Sequence, residues 1–246
     1  MANKKKGRWI NGSWIGVGWD ATEGWNNTTN FLPTDISGCV LWLDSRFGLT
    51  KDANEDISNH KDLSSNGHDA YYDGVIGTKP RWVTSDQSVY WQGIGGSDPG
   101  EDFLQITNPL TLNDLTVFFR HKPKLDATYA GFALGDHGVL DSVDVQAGTS
   151  LARMVISEAS IMSVNIGSLS SDWFNICFVR NQGGNFSVYL NGALKGTVAS
   201  LGGAFHIKSL NGPLGPEHSG WNKQIIIYNR ILSEKELQDV FKFLNM

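Results

Sequence analysis

From residue 32 onward, short apolar runs alternate with clusters of turn-forming residues, and this punctuation constrains the fold more than any other feature. Runs of about four to eight residues suit strands of a packed sheet and are too short for core helices. Pairs such as Asn191-Gly192 supply the positive backbone φ that tight hairpin turns need. A chain of 246 residues fits one such core. The pattern predicts an all-β, two-sheet antiparallel sandwich.

Candidate strands cover most of the region after residue 33. Their ranges are 39–44, 68–73, 88–91, 103–107, 115–121, 130–134, 153–157, 161–166, 173–180, 186–191, 194–199 and 223–229. Range 173–180 is apolar on both faces, as a central strand would be, whereas 186–191 alternates between apolar and polar residues. Asn191-Gly192 between two of these ranges predicts a hairpin.

The C-terminal segment has helical signals instead. Ser233 and Glu236 form a capping-box pattern, in which hydroxyl and carboxylate satisfy the first free amides of a helix. Apolar residues then recur at helical spacing at Leu237, Val240, Phe241 and Leu244. We expect a short C-terminal helix whose apolar stripe covers an edge or end of the sandwich.

Residues 1–33 differ from the rest because they carry Trp9, Trp14, Trp19 and Trp25 in a Gly- and Asn-broken segment. So short a segment cannot bury four indoles by itself. We interpret 1–33 as a docking arm that binds a neighbouring subunit, and 34–246 as the sandwich domain. The alternative is a first β-hairpin of the same sandwich, with Asn11-Gly12 as its turn.

Charge and cysteine content argue against several classes of protein. The net charge of −5 gives no electrostatic reason to expect a nucleic-acid partner. Cys39 and Cys177 lie in apolar strand-like runs, where a free cysteine packs as a small hydrophobe, and neither has zinc or redox spacing. No apolar stretch is long enough to span a bilayer, and the lysine-led start lacks the apolar core of an export signal. We therefore expect a chain without membrane insertion or a secretion signal.

Several segments carry a family resemblance, at 40–44, 57–70, 173–180, 186–192 and 225–237. In pattern and order they resemble a laminin-G-like, concanavalin A-like lectin-glucanase domain of the type found in phage virion proteins. The resemblance spans roughly residues 36–246 and implies a jelly-roll sandwich. His60 stands where a tryptophan would be expected. Because this fold hosts lectins, adhesion modules, glycosidases and viral structural proteins, it does not assign a function.

An enzyme is not predicted. A glycosidase needs two converging carboxylates, and the Glu-x-Asp-x-x-Glu strand of concanavalin-type glucanases has no match here. Glu55-Asp56 and Glu101-Asp102 are adjacent pairs, so on an extended chain their side chains point to opposite faces. The histidines have no serine or cysteine partner at a recognisable spacing.

Calcium in a rim loop is common among the relatives that the resemblance implies. Asp136, Asp141 and Asp144 are the nearest candidate ligands, because they place three carboxylates around a Gly-containing loop. The alternative is an ordinary polar turn. No other cofactor is predicted.

For sugars, the best candidate surface is the loop 211–222. It combines Glu217, His218, Trp221 and Asn222, so that an indole could stack on a sugar while polar groups bind its hydroxyls. Tyr71, Tyr72, Trp82 and Trp91 are further aromatic residues near loops, with core packing as their alternative.

The leading functional hypothesis is a non-catalytic phage virion protein of the capsid decoration, head-fibre or tail-fibre type. It would associate with virion proteins or with itself through 1–33, and adhere to host-surface glycans through the sandwich. A virion location reconciles a cell-surface type of domain with the expected lack of an export signal. The alternatives are a stand-alone, extracellular carbohydrate-binding lectin module and a glycoside hydrolase.

Overall fold

A computed structural model describes residues 7–10, 13–16, 31–74, 78–92, 102–125, 133–136, 141–146, 149–157, 160–211 and 219–246. The described elements are β1 (Gly7–Ile10), β2 (Ser13–Gly16), a 3₁₀ turn (Pro33–Asp35), β3 (Cys39–Asp44), β4 (Leu49–Lys51), β5 (Ile57–His60), β6 (Ala70–Tyr71), β7 (Arg81–Val83), β8 (Ser88–Trp91), β9 (Leu104–Leu112), β10 (Leu115–Pro123), β11 (Ala133–Asp136), β12 (Asp141–Gln146), β13 (Leu151–Ile156), β14 (Ser160–Asn165), β15 (Phe174–Arg180), β16 (Asn185–Leu190), β17 (Ala193–Ala199), β18 (Phe205–Leu210), β19 (Gly220–Tyr228) and the helix α1 (Glu234–Leu244).

Two large antiparallel sheets contain all of these strands except β1 and β2. The first, which we call sheet A, has the order β17-β16-β15-β10-β19-β8-β7, and β3 also pairs with β19. The second, sheet B, has the order β14-β13-β12-β11-β18-β9-β6-β5-β4. The long strand β19 pairs with β3 along one stretch and with β8 along Gly220–Asn222. The prediction of an all-β jelly-roll sandwich with a short C-terminal helix is confirmed.

The main core lies between the two sheets and follows the two-residue period of a strand. On β3, Leu41 and Leu43 point into this core, while Trp42 between them points to the outer face of sheet A. On β10, Val117 and Phe119 likewise point inward, and Phe118 points outward. The central strands of sheet A therefore need apolar residues on both faces.

The helix α1 covers part of that outer face. Ser233 and Glu236 form the predicted capping box, and Leu237, Val240, Phe241 and Leu244 are all buried. The ring of Phe241 lies edge-on to that of Phe118, with 5.3 Å between their centroids. The expectation that the helix covers an edge or end of the sandwich is wrong, because the outward apolar residues of the central strands form a second core beneath it.

The predicted hairpin at Asn191-Gly192 is confirmed. β16 and β17 pair antiparallel around it, with Leu190 opposite Ala193. Asn191 has φ +51° and Gly192 has φ +84°, the left-handed values that a two-residue hairpin turn requires. This turn also lies under the helix, where Gln238 Nε2 donates to the Gly192 carbonyl at 3.2 Å.

The N-terminal strands β1 and β2 pair with each other, with Trp9 opposite Trp14 in the register. No other described strand joins them. Trp19, Trp25 and the Asn11-Gly12 turn lie outside the described residues. The docking arm therefore stays a prediction. Residues before 34 do contribute to the body, since Leu32 is 7% exposed and Phe31 packs on the second core.

The loop expected around Asp136–Asp144 needs correction. Asp136 ends β11, and Asp141 and Asp144 belong to β12, which pairs with β11 and β13. The physical reason is the alternation in this segment, because Val143 and Val145 point into the core and stabilise a strand despite Asp144 between them.

Candidate functional site

An open cleft of about 400 Å³ lies at the β7–β8 end of sheet A. Its lining combines two phenol rings, two carboxyl groups, two cations, a hydroxyl and an amide. The residues are Asp56, Tyr72, Thr78, Lys79, Arg81, Tyr90, Gln92 and Asp102. This mixture of aromatic and hydrogen-bonding groups is typical of a site for a polar, partly apolar ligand.

Strand pairing brings the cleft residues together from distant parts of the chain. Arg81 on β7 stands opposite Tyr90 on β8, and Gln92 follows directly after β8. Isolated bridges join Asp56 to Arg81 and Thr78 to Asp102. The rigid edge of sheet A thus fixes one wall, while the segments around β5 and β9 supply the other.

Asp102 is the buried acid of the cleft, with only 5% of the residue exposed. The Thr78 hydroxyl donates to its Oδ1 at 2.6 Å, and the Gln92 backbone N–H donates to its Oδ2 at 2.7 Å. Burial raises the pKa of Asp102 to about 6, although both hydrogen bonds favour the charged form. Two neutral donors therefore hold this carboxyl in place, and among the described residues no cation forms a direct ion pair with it.

The charged residues at the rim of the cleft form longer contacts than the hydrogen bonds of Asp102. Arg81 Nε is 3.4 Å from an Asp56 carboxylate oxygen, and the Arg81 side chain is 64% exposed. Lys79 Nζ lies 3.2 Å from Asp52 and 5.9 Å from the centre of the Tyr72 ring. Exposed ion pairs of this kind contribute little to stability, so these side chains can exchange partners for a ligand.

Trp221, predicted as a ligand-binding residue, lies beside the cleft. It stands opposite Tyr90 in the β8–β19 register, and the two ring centroids are 5.0 Å apart. The Lys122 ammonium lies 5.2 Å from the Trp221 ring on the other side. The half-buried indole thus continues the aromatic wall of the cleft along sheet A.

Asn222 occupies a different environment from its neighbour. It is 3% exposed, and its Oδ1 accepts a hydrogen bond from His121 Nδ1 at 3.0 Å. The alternation of the strand places it on the inner face of sheet A, whereas Trp221 is on the outer face. Asn222 therefore does not contribute to an exposed surface. Glu217 and His218 lie outside the described residues.

The three aspartates predicted as calcium ligands each have a separate partner. Asp136 is 2.8 Å from Lys208 Nζ, and Arg153 donates to both oxygens of Asp144, at 2.9 and 2.8 Å. Asp141 accepts from His206 Nδ1 at 2.7 Å. In the described part of the chain, no group of three His, Cys, Asp or Glu side chains is placed to hold a metal ion. The calcium site stays a prediction.

Sequence reasoning missed most of the cleft. The sequence indicates Tyr72 as an aromatic residue near a loop, but it places Tyr90 within a candidate strand. Asp102 belongs to an adjacent acidic pair, which does not suit a catalytic site. Only Asp102 carries a local signal, because this acid and Glu101 directly precede the apolar run Phe103-Leu104 at the start of β9. The remaining residues are ordinary strand ends and turn residues that converge only through pairing.

Comparisons with known proteins bear on the fold. No protein-family model matches the chain, and no curated protein matches it. Among solved structures, the binding domain of Paraclostridial Mosquitocidal Protein 1 aligns with a TM-score of 0.55 and 18% identity, over 85% of this chain and 52% of that one. A structure of botulinum neurotoxin type C, whose cell entry is described as dependent on interaction with two ganglioside molecules, gives 0.55 and 14%, over 86% and 52%.

An enzyme is among the similar structures as well. Trypanosoma rangeli sialidase aligns with a TM-score of 0.53 and 16% identity, over 86% of this chain and 33% of the sialidase. The chain thus spans about half the length of the two toxin structures. Within the described residues, no helix has the length and apolar character needed to cross a membrane. At these identities the likeness establishes the β-sandwich fold alone.

Proposed function

We propose that this protein is a non-catalytic carbohydrate-binding module, and that the cleft around Tyr72, Tyr90 and Asp102 holds the sugar. The observation that carries the proposal is the combination of two phenol rings with an acid, an amide and two cations in one open cleft. An aromatic ring packs on the apolar face of a sugar, while carboxyl, amide and ammonium groups bind its hydroxyls.

The environment of the acid favours binding over hydrolysis. A hydrolytic acid must reach the leaving oxygen, and its partner must attack or activate water. Both oxygens of Asp102 are already engaged, by the Thr78 hydroxyl and the Gln92 backbone N–H. Asp56, the other carboxylate in the lining, lies 3.4 Å from the Arg81 guanidinium. Such a pair suits the recognition of hydroxyl groups.

The structural neighbours support the same proposal at the level of fold. One of the three described above is a binding domain, and another belongs to a neurotoxin whose cell entry is dependent on interaction with two ganglioside molecules. The sialidase is the counterexample, since the same sandwich accompanies an enzyme there. The chemistry of the cleft, rather than the fold, therefore carries the argument.

A glycan array followed by calorimetry on the best ligand tests the proposal. Tyr72→Ala should weaken binding at least about tenfold, because the loss of an aromatic contact costs on the order of 1–3 kcal/mol. Gln92→Ala should also weaken it, whereas Gln182→Ala, the same change at an exposed turn across the protein, should not. Binding that survives the changes at both Tyr72 and Gln92 would overturn the assignment of the cleft, and turnover of the bound glycan would overturn the non-catalytic role.

We propose as a second role that the module is a structural protein of a phage virion, joined to other subunits by its N-terminal segment. The supporting observation is the β1–β2 pair, which has no other partner among the described strands. The family resemblance supports the same role. Light scattering should find an oligomer for the full chain and a folded monomer after deletion of residues 1–30. The deletion keeps Phe31 and Leu32 because they pack on the body. If the full chain and the shortened chain are both monomers, this role for the arm is excluded.

A further inference from the structure

The helix covers only part of the outer face of sheet A, and the part beyond the helix is rich in half-buried cations. The helix α1 covers the row of Trp42, Ile226 and Phe118. Two residues further along the same strands, Arg120 stands opposite Gln224, which in turn stands opposite Asp44. Residues two apart on a strand share a face, so this second row lies on the outer face beyond the helix.

A third row has two adjacent aromatic rings between two cations and leads to the cleft. Lys122 stands opposite Trp221, Trp221 opposite Tyr90, and Tyr90 opposite Arg81. Tyr90 and Arg81 line the cleft itself. Each step between strands is about 4.8 Å, so Lys122 stands about 14 Å from Arg81 across the sheet.

Lys223 adds another positive charge between these rows. It occupies the irregularity in the β10–β19 pairing that follows Arg120, and its ammonium lies 4.7 Å from the ring of Trp173. Burial lowers the pKa of Lys223, and so do the charges of Arg120, Arg46 and Lys122. The four cations are therefore close enough to repel one another.

Arg120 is the most informative member of the group. Its Nε and Nη1 are shielded from solvent and have no hydrogen-bond partner among the described residues. The nearby acid, Asp44, is already held by Arg46, whose Nε and Nη2 donate to it at 2.9 and 2.7 Å. Unpaired guanidinium N–H groups are costly unless an acceptor satisfies them, and two oxygens of a carboxylate or a sulfate can accept two such N–H groups at once.

We propose that Arg120, Lys122 and Lys223, the cationic patch, bind the negatively charged group of an acidic oligosaccharide whose neutral part lies in the cleft. The inference rests on the proposed glycan-binding function and names its ligand class, a sugar chain that carries a carboxylate or a sulfate. Trp221 and Tyr90 between the two regions provide the ring surface over which the intervening sugar units lie.

The charge distribution favours this ligand over a polyanion. The protein has a net charge of −5, and at the far end of the path the cations Lys79 and Arg81 are matched by the acids Asp56 and Asp102. A nucleic acid or an anionic membrane would bring negative charge to both ends, whereas a glycan with one acidic unit needs a cation at only one end.

Matched ligand pairs test the inference by calorimetry on the full chain. The probes are 3′-sialyllactose and 3′-sulfolactose, each against lactose, at low and high salt. We expect at least one of the two acidic sugars to bind about tenfold more tightly than lactose or better, a difference of about 1.4 kcal/mol. The reason is that hydrogen bonds to a charged group are stronger than those between neutral groups. A preference for only one of them identifies the anionic group. High salt should reduce this preference while leaving lactose binding unchanged.

Variants separate the patch from the cleft. Lys122→Gln and Arg120→Gln should remove the acidic preference and leave lactose affinity intact, and Arg120→Lys should keep part of it if Arg120→Gln does not fold. Lys235→Gln, the same change of charge on an 84% exposed helix residue, is the control. Equal binding of acidic and neutral members overturns the patch but leaves the proposed function. Binding of neither overturns both, and binding to phosphatidylserine vesicles instead of glycans overturns the glycan assignment.

Discussion

Replacing His60 by glutamine should change how the stability of this protein depends on pH. His60 is 4% exposed, and burial, the largest cause, lowers its pKa to about 4 from the ordinary 6.5. Nearby acidic groups, Asp44 first among them, oppose this effect without reversing it. The unfolded chain therefore binds a proton between pH 6.5 and pH 4 that the folded protein excludes, and folding becomes less favourable as the pH falls through this window.

The magnitude follows from the two pKa values. The difference between 6.5 and about 4 corresponds to a loss of about 3 kcal/mol of unfolding free energy. This loss is complete below about pH 4, and there is none above pH 6.5. Asp102 has the opposite sign, because its pKa is raised from 3.8 to about 6 and its folded form holds a proton that the unfolded chain has released. Its contribution of about 3 kcal/mol destabilises the protein as the pH rises from 4 to 6.

Urea unfolding at half-unit intervals from pH 4 to pH 7 measures both effects. Relative to the native protein, His60→Gln should gain stability toward pH 4, and Asp102→Asn should gain stability toward pH 7. In the double variant, the unfolding free energy should no longer show the pH dependence that either group causes. If the difference between the native protein and His60→Gln is the same at pH 4 and pH 7, His60 does not titrate as a buried neutral group and the reasoning is refuted.

Three further predictions concern stability and can be measured by urea or thermal unfolding. Phe241→Ala should cost about 3–5 kcal/mol because it opens a cavity between the helix and Phe118, and a loss below 1 kcal/mol would contradict the second core. Arg180→Met should cost about 3 kcal/mol or more, since the buried guanidinium donates to the carbonyls of Asn113, Leu201 and Gly203. Gly192→Ala should cost about 1 kcal/mol because of its φ of +84°, whereas Gly202→Ala, which has open space and no positive φ, should cost less.

The parts of the fold that were predictable from sequence are those with strong local patterns. The apolar runs of β3, β8 and β15 and the hairpin at Asn191-Gly192 lie where their residues place them. The strands β4, β5 and β7 were missed because each is only three or four residues long and interrupted by polar residues, so that it shows no clear two-residue period. Their pairing depends on neighbouring strands, which a local pattern does not record.

Strand β12 shows a second reason for failure. Its aspartates indicated a loop, but Arg153 on the next strand pairs with Asp144, and His206 on a distant strand pairs with Asp141. Partners that are distant in sequence make buried acids tolerable, and a single sequence does not reveal them. The same holds for the cleft, which joins residues between Asp56 and Asp102 across several strands. Trp221 stays a predicted contact residue, and the sequence singles it out because an indole near a loop is itself a signal.

The partial cover of sheet A has a consequence for how such a protein can diverge. Beneath the helix, each outward residue of the central strands has a fixed neighbour, as Phe118 has in Phe241, so replacement there is limited by packing. Beyond the helix, the same strands contain Arg120, Lys122 and Trp221, whose side chains are half-buried. A lineage could therefore exchange the residues of the open half and acquire new ligands while the covered half, and with it the sandwich, remained as it is.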